Sequence, residues 1–115
     1  MTNRHVNMLF KRHKNLFARL IWGFEVGDGW FKIIAALSKK LAQDKRIEIY
    51  QIKEKFGRLR VYYSPFTDEA EMLVKVAERL CSKTCEVCGE LGSLNKRGWL
   101  SVLCPKCRER HEDKA

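Results

Sequence analysis

Apolar positions along this chain change their period several times, and each change predicts a new element. Between residues 3 and 21, Val6, Leu9, Phe10, Leu16, Phe17, Leu20 and Ile21 recur at helical spacing with basic side chains mostly between them, which predicts one amphipathic helix. A glycine-containing break at residues 23 to 29 follows. Trp30, Ile33, Ile34, Leu37 and Leu41 then resume the helical period, with Asp28 where an N-cap belongs and the helix ending near Gln43. Residues 47 to 53 are rich in β-branched and aromatic side chains, and residues 58 to 63 alternate Leu59, Val61 and Tyr63 with Arg58, Arg60 and Tyr62. A β-hairpin fits, with Gly57 supplying the positive φ of its turn. The first strand alternates less cleanly, because Ile47 and Ile49 share parity with Gln51 and Lys53, and its register stays open. Beyond Pro65, Thr67 is placed to cap a third helix with Ala70, Leu73, Val74, Ala77, Leu80 and Cys81 on one face.

Paired cysteines then take over. Cys85 and Cys88, then fifteen residues, then Cys104 and Cys107 form the spacing of a structural zinc site, in which each pair closes a knuckle whose two sulfurs reach one ion. Gly89 and Gly92 let the first knuckle turn back, and residues 99 to 103 read as a short strand delivering the second pair, the layout of a zinc ribbon. Four thiolates on a divalent cation carry a formal charge of −2, which Lys83, Lys96, Arg97, Lys106 and Arg108 offset. With four protein ligands no position is left for water, so such an ion folds the chain rather than catalyses. Cys81 falls on the apolar helix face and reads as a core residue, and His111 as surface, although both are conceivable substitute ligands. The polar tail from residue 108 to 115 is expected to fray.

The chain has 115 residues and 45% apolar composition, which suits one globular domain with a thin core; a metal would add needed stability. No apolar run approaches the length of a membrane span, and Lys11, Arg12 and Lys14 interrupt any secretory signal. The acid-free N-terminal stretch also has the character of an organellar presequence or a membrane-surface helix. Five cysteines without an export signal argue for metal ligation in the cytoplasm over disulfides. No linker separates residues 1–84, the helical and hairpin core, from residues 85–115, the cysteine module expected to pack on it.

Charge directs attention to the surface. The net charge is +9, and the first 24 residues contain Arg4, Lys11, Arg12, Lys14 and Arg19 but no acid. The hairpin adds Lys53, Lys55, Arg58 and Arg60, with Tyr50, Tyr62 and Tyr63 interleaved. Cations neutralise phosphates and aromatic faces stack bases, so a nucleic acid is one candidate partner; arginine and tyrosine equally anchor protein interfaces, and a charged strand edge also serves solubility alone. Catalysis finds little support. The histidines His5, His13 and His111 form no hydrolytic metal motif, and Gly27-Asp28-Gly29 lacks the lysine and hydroxyl of a phosphate loop and reads as a turn into a helix. Glu25 and Asp28 are a carboxylate pair without a partner.

Three strings, GFEVGDGWF at residues 23–31, QIKEKFGRLR at 51–60 and CEVCG at 85–89, occur in an order that resembles a family of small phage- and prophage-encoded zinc-ribbon proteins. The resemblance covers about residues 23 to 107. It implies a bacterial or phage cytoplasm and an accessory role, with no assigned activity and no catalytic residues to carry over. Val26 departs from the family pattern, where cysteine is common, and so does Cys107, where histidine is frequent; the second change keeps four ligands. The expectation is therefore an α+β domain with a C-terminal zinc ribbon. Its leading role is a non-enzymatic accessory protein that binds a host macromolecule, as an inhibitor of a host protein complex, with a DNA- or RNA-binding regulator as the alternative. No small-molecule substrate is implied.

Overall fold

The computed structural model describes the backbone of residues 1–114 and the side chains of residues 1–110. The fold is α+β. Its elements in chain order are helix α1 (Asn3–Arg12), strand β1 (Phe24–Glu25), helix α2 (Phe31–Leu41), strands β2 (Glu48–Lys55) and β3 (Arg58–Ser64), helix α3 (Asp68–Cys81), strands β4 (Ser93–Asn95) and β5 (Ser101–Leu103), and helix α4 (Pro105–Lys114). Strands β1, β2 and β3 form one sheet in that order, β1 parallel and β3 antiparallel to β2, while β4 and β5 form a separate antiparallel ribbon. The tail expected to fray is thus helical in its backbone, and His111 lies outside the described side chains.

The core lies between the inner face of the three-stranded sheet and the helices. Ile49, Ile52 and Leu59 from the sheet meet Ile34, Leu37 and Leu41 from α2 and Ala70, Val74, Ala77 and Cys81 from α3. Thr67 caps α3 as expected, its hydroxyl accepting from the Ala70 amide at 3.0 Å. Leu80, however, faces outward.

The first helix is shorter than the apolar spacing predicts. It stops at Arg12, and His13 leaves the helical region of backbone space (φ −135°, ψ 58°). Tertiary packing dictates the path of the chain beyond it. The Phe17 ring meets Phe10 and Phe24 edge-on, with centroids 5.9 and 5.0 Å away, and the Leu16 carbonyl accepts from the Ile49 amide at 2.8 Å. Those contacts bury Leu16, Phe17 and Leu20 but leave Ile21 exposed.

A bulge settles the hairpin register. Ile49 pairs with Tyr63 and Gln51 with Tyr62, so Tyr50 is the extra residue. The slip moves Ile49 and Ile52 onto the same inner face despite their opposite parity, which accounts for the irregular alternation. At the other end, Phe56 (φ 54°) and Gly57 (φ 80°) both take positive φ, making a two-residue loop whose twist matches the flanking strands.

Asp28 is not the cap of α2. It sits in a single 3-10 turn (Asp28–Trp30), and its carboxylate accepts from the Thr2 amide at 2.9 Å and lies 2.7 Å from the His5 ring nitrogen Nδ1. The His5 ring stacks on Phe31, and the Met1 amino group donates to the Val26 carbonyl at 2.7 Å. The start of α1 is therefore fastened to the loop before α2.

The Thr2 amide, then the His5 contact, hold the Asp28 carboxyl below the usual carboxylate range. A depressed folded pKa means the interaction stabilises fully at neutral pH and is lost as pH falls through that value. Thermal melts of wild type and Asp28→Asn should therefore differ at pH 7 and converge below about pH 4; a difference that persists in acid would contradict this linkage.

Candidate metal centre

The C-terminal module is built from two short turns that present sulfur. In the first, the Cys85 amide donates to the Glu90 carbonyl at 2.7 Å and the Gly89 amide to the Cys85 carbonyl at 3.0 Å, which curls residues 85–90 around their own side chains. The second turn is the start of α4. Cys104 stands just before Pro105, a residue suited to the first helical position, and the Cys107 amide donates to the Cys104 sulfur at 3.4 Å. The thiolate thus occupies the place of an N-cap oxygen, and a helix-start amide stabilises its negative charge. Pairing of β4 with β5 brings the two turns together.

The result is a cluster in which the Sγ atoms of Cys85, Cys88, Cys104 and Cys107 all lie within 4.8 Å of one another. Cys88 is exposed and the other three are buried. A tetrahedral thiolate site with bonds of about 2.3 Å has sulfurs about 3.8 Å apart, so these four fit a single ion. The Cys107 amide leads in lowering the Cys104 thiol to about 7, whereas burial pushes Cys107 up to about 12. A bound cation displaces the remaining protons, so metal affinity must fall with acidity. Cys81 stays out of the cluster; it is fully buried on α3, and burial raises its thiol to about 12. Arg108 fastens α4 to β4, donating through Nη2 to the Ser93 hydroxyl at 2.7 Å.

Glu86, between the first two cysteines, joins this module to the core. Its carbonyl accepts from the Gly29 amide at 2.7 Å, its carboxylate oxygen Oε2 accepts from the Gly27 amide at 2.9 Å, and its amide donates to the Val102 carbonyl at 2.9 Å. The fully buried Trp30 donates through Nε1 to the Thr84 carbonyl at 2.8 Å. The approach is so close that a Cβ on Gly29 would overlap the Cys85 carbonyl and the Gly89 amide, and one on Gly27 would overlap Glu86. The loop that reads as a turn into a helix is therefore also the seat of the cysteine knuckle.

The expected cationic surface divides into two parts. Cross-strand pairing sets Lys53 opposite Arg60 and Lys55 opposite Arg58, with Tyr62 opposite Gln51, all on the sheet face away from the buried Ile52 and Leu59. Tyr63 lies on the inner side, stacked on Phe66, and Tyr50 sits at the bulge beside Ser64. Lys11, Arg12 and Lys14 instead line a groove of about 430 Å³ together with His13 and Lys45. Desolvation, with the neighbouring Arg12 adding to it, lowers the His13 pKa. Arg4 is exposed nearer the start of α1 and lines neither region.

Sequence reasoning does not single out Phe56, exposed at the hairpin tip with the Lys55 ammonium 5.9 Å from its ring centre, although its place close to Lys55 and Arg58 is a signal. Lys45, and Lys75 and Arg79 beside Arg58 and Arg60, come from other elements and carry no local signal. No family model, curated protein or solved structure matches this chain. No helix of the described residues is long and apolar enough to cross a membrane.

Two measurements test the centre. Metal analysis of reduced, gel-filtered protein should find one divalent ion per chain, released more readily at pH 5 than at pH 8, and Cys104→Ser should not retain it. Gly29→Ala, by displacing Glu86 from its seat, should destabilise the fold by about 2–3 kcal/mol in urea titrations; a change below the scatter of repeats would show the seat to be dispensable.

Proposed function

We propose that this chain is a non-enzymatic accessory protein, held in shape by structural zinc, that binds nucleic acid through the outer face of its sheet. Zinc is the reading of the donor set: four thiolates are soft ligands, and tetrahedral sulfur sites suit zinc among divalent ions. Cys85, Cys88, Cys104 and Cys107 would hold it with no open position for a reacting water. Reduced cysteines suit a reducing compartment, and with the motif resemblance this favours a phage- or prophage-encoded protein working in a bacterial cytoplasm.

One observation carries the nucleic-acid reading. The ladder places Lys53 with Arg60 and Lys55 with Arg58 as two successive cation pairs, about 7 Å apart along each strand, a spacing comparable to that of successive phosphates. Tyr62 extends the same face, and Phe56 stands at its end. Phenylalanine at positive φ is a strained choice where asparagine or glycine would fit freely, and strain of this kind concentrates at functional positions. Exposed aromatic rings beside cations stack unpaired bases, which favours single strands.

A second reading, occupation of a host protein, retains one specific support. Ile21 and Trp22 stand side by side, 83% and 72% exposed, and aromatic side chains with arginines anchor protein interfaces.

Fluorescence anisotropy with a labelled single strand and the matching duplex separates these readings. Wild type should prefer the single strand, with log K against log salt falling at a slope of about −3 if four phosphates are neutralised. Replacing Lys53, Lys55, Arg58 and Arg60 together by glutamate should abolish binding while metal content stays unchanged, and Phe56→Ala should cost about 1–3 kcal/mol. A host protein captured from nuclease-treated lysate, with no affinity for either oligonucleotide, would overturn the assignment.

A further inference from the structure

Helix α3 carries a second surface, unrelated to charge binding. Its inner residues Ala70, Val74, Ala77 and Cys81 are buried, yet Met72, Val76 and Leu80 lie in a row on its outside, 67%, 48% and 50% exposed. Residues four apart on a helix are stacked neighbours, so these three form a continuous apolar stripe. Beside it, Leu73 and Leu80 share a shallow groove with Ile33 and Ala36 of α2, which widens the apolar surface beyond one helix. Isolated exposed apolar residues are ordinary, but a contiguous patch of this kind marks an interaction site.

The ends of the stripe say what covers it. Glu69 lies seven residues before Val76 and Lys83 seven residues after, a spacing of two helical turns that returns both to the same line. Lys83 lies just past the last residue of α3, but its amide still donates to the Leu80 carbonyl at 3.1 Å, which carries the helical path onward. Both side chains are exposed, and neither forms an ion pair among the described residues.

The row therefore reads acid, apolar, apolar, apolar, base, at offsets of −7, −4, 0, +4 and +7 from Val76. Laid antiparallel on itself about an axis through Val76, it complements itself at every position. Val76 meets Val76, Met72 meets Leu80, and Glu69 meets Lys83, each of the last two contacts occurring twice. Laid parallel, it would set Glu69 against Glu69 and Lys83 against Lys83. This is the self-complementarity that a two-fold interface demands.

We propose that the occupant of this face is a second copy of the chain, with α3 packed antiparallel on α3 about a two-fold axis at Val76. The bonding surface is the outer line of α3, so Lys53 and Lys55 on the sheet stay free in each copy, while Arg58 and Arg60 lie on the flank of α3 beside Lys75 and Arg79. The apolar row supplies the attraction, and the terminal charges select the antiparallel orientation.

Sedimentation velocity of the metal-loaded full chain from micromolar to millimolar concentration tests this. Wild type should form dimers. Val76→Glu sets two carboxylates face to face on the axis and should weaken association at least about 100-fold, with unchanged circular dichroism and metal content, because the side chain lies outside the core. Glu69→Lys and Lys83→Glu should each weaken it by about tenfold, and the two together should restore it to within about threefold of wild type. A wild-type chain that stays monomeric throughout, a Val76→Glu variant that associates normally, or a double exchange without recovery would each overturn the proposal.

Discussion

The approach of Glu86 to Gly27 and Gly29 is the contact on which the arrangement of this molecule depends. Two polar groups of one residue join two parts of the chain, the carbonyl to Gly29 and the carboxylate to Gly27, while its amide ties it to Val102 of β5 within the cysteine module. Such groups cost free energy when buried without partners, so the seat is all-or-none in character: either the main chains touch and every group is bonded, or the burial is unfavourable. Burial raises the Glu86 carboxyl pKa, and the Gly27 amide acts against that rise, a sign of how far the group has left water. Only glycine permits the approach, which accounts for a glycine on each side of Asp28.

Because Cys85 and Cys88 flank Glu86, the geometry that gathers sulfur is the same geometry that presents Glu86 to its seat. An ion held by the four sulfurs would therefore act on this element from the side opposite the core. The coupling extends further, since Asp28, between the two glycines, holds the Thr2 amide and the His5 ring, while Trp30 reaches the Thr84 carbonyl. A core of this size is thin, and a cross-link by a metal in the cysteine cluster would give the loop a rigid partner that apolar burial alone does not supply. The basic helix α1 is fastened to the same loop, so its cations are held at a fixed place relative to the sheet.

How much of this is legible in the sequence depends on the range over which each signal acts. Cysteine knuckles announce themselves through spacings of two residues, and all four cysteines of the cluster are legible from the chain alone. The outer sheet face is legible too, because Arg58, Arg60 and Tyr62 keep the two-residue period of a strand. Strand β1 is not: two residues pairing with a strand 28 positions later leave no periodic trace. The spacing misplaces the end of α1 because Leu16, Phe17 and Leu20 keep a helical period while their side chains serve a non-helical turn against Phe10, Phe24 and Ile49. Tyr50 leaves a trace, the broken parity of β2, which is what a bulge does to an alternating pattern. Apolar character alone turns Leu80 inward, but the inner line of α3 is set by the small residues Ala70 and Ala77, which let the helix lie close to its neighbours.

Small residues inward and larger ones outward invert the usual helix, and the inversion constrains how the surfaces divide. The sheet buries one face beneath the helices and turns the other, with its four cations, to solvent. The helical layer turns Met72, Val76 and Leu80 away from that sheet. Lys53 and Lys55 lie away from α3, whereas Arg58 and Arg60 share a groove with Lys75 and Arg79 on its flank, so joining two copies through Met72, Val76 and Leu80 would leave the lysine side of each cationic face pointing away from the partner. Such a pair gains by avidity only when one flexible polyanion reaches both faces, because the second contact is then made at the effective concentration set by the intervening chain. A stiff duplex segment too short to bend around the dimer gains nothing from the second face. If the proposed dimer and the proposed nucleic-acid role both hold, the same geometry would favour long, flexible single strands over short rigid duplexes, independently of any stacking by Phe56 or Tyr62.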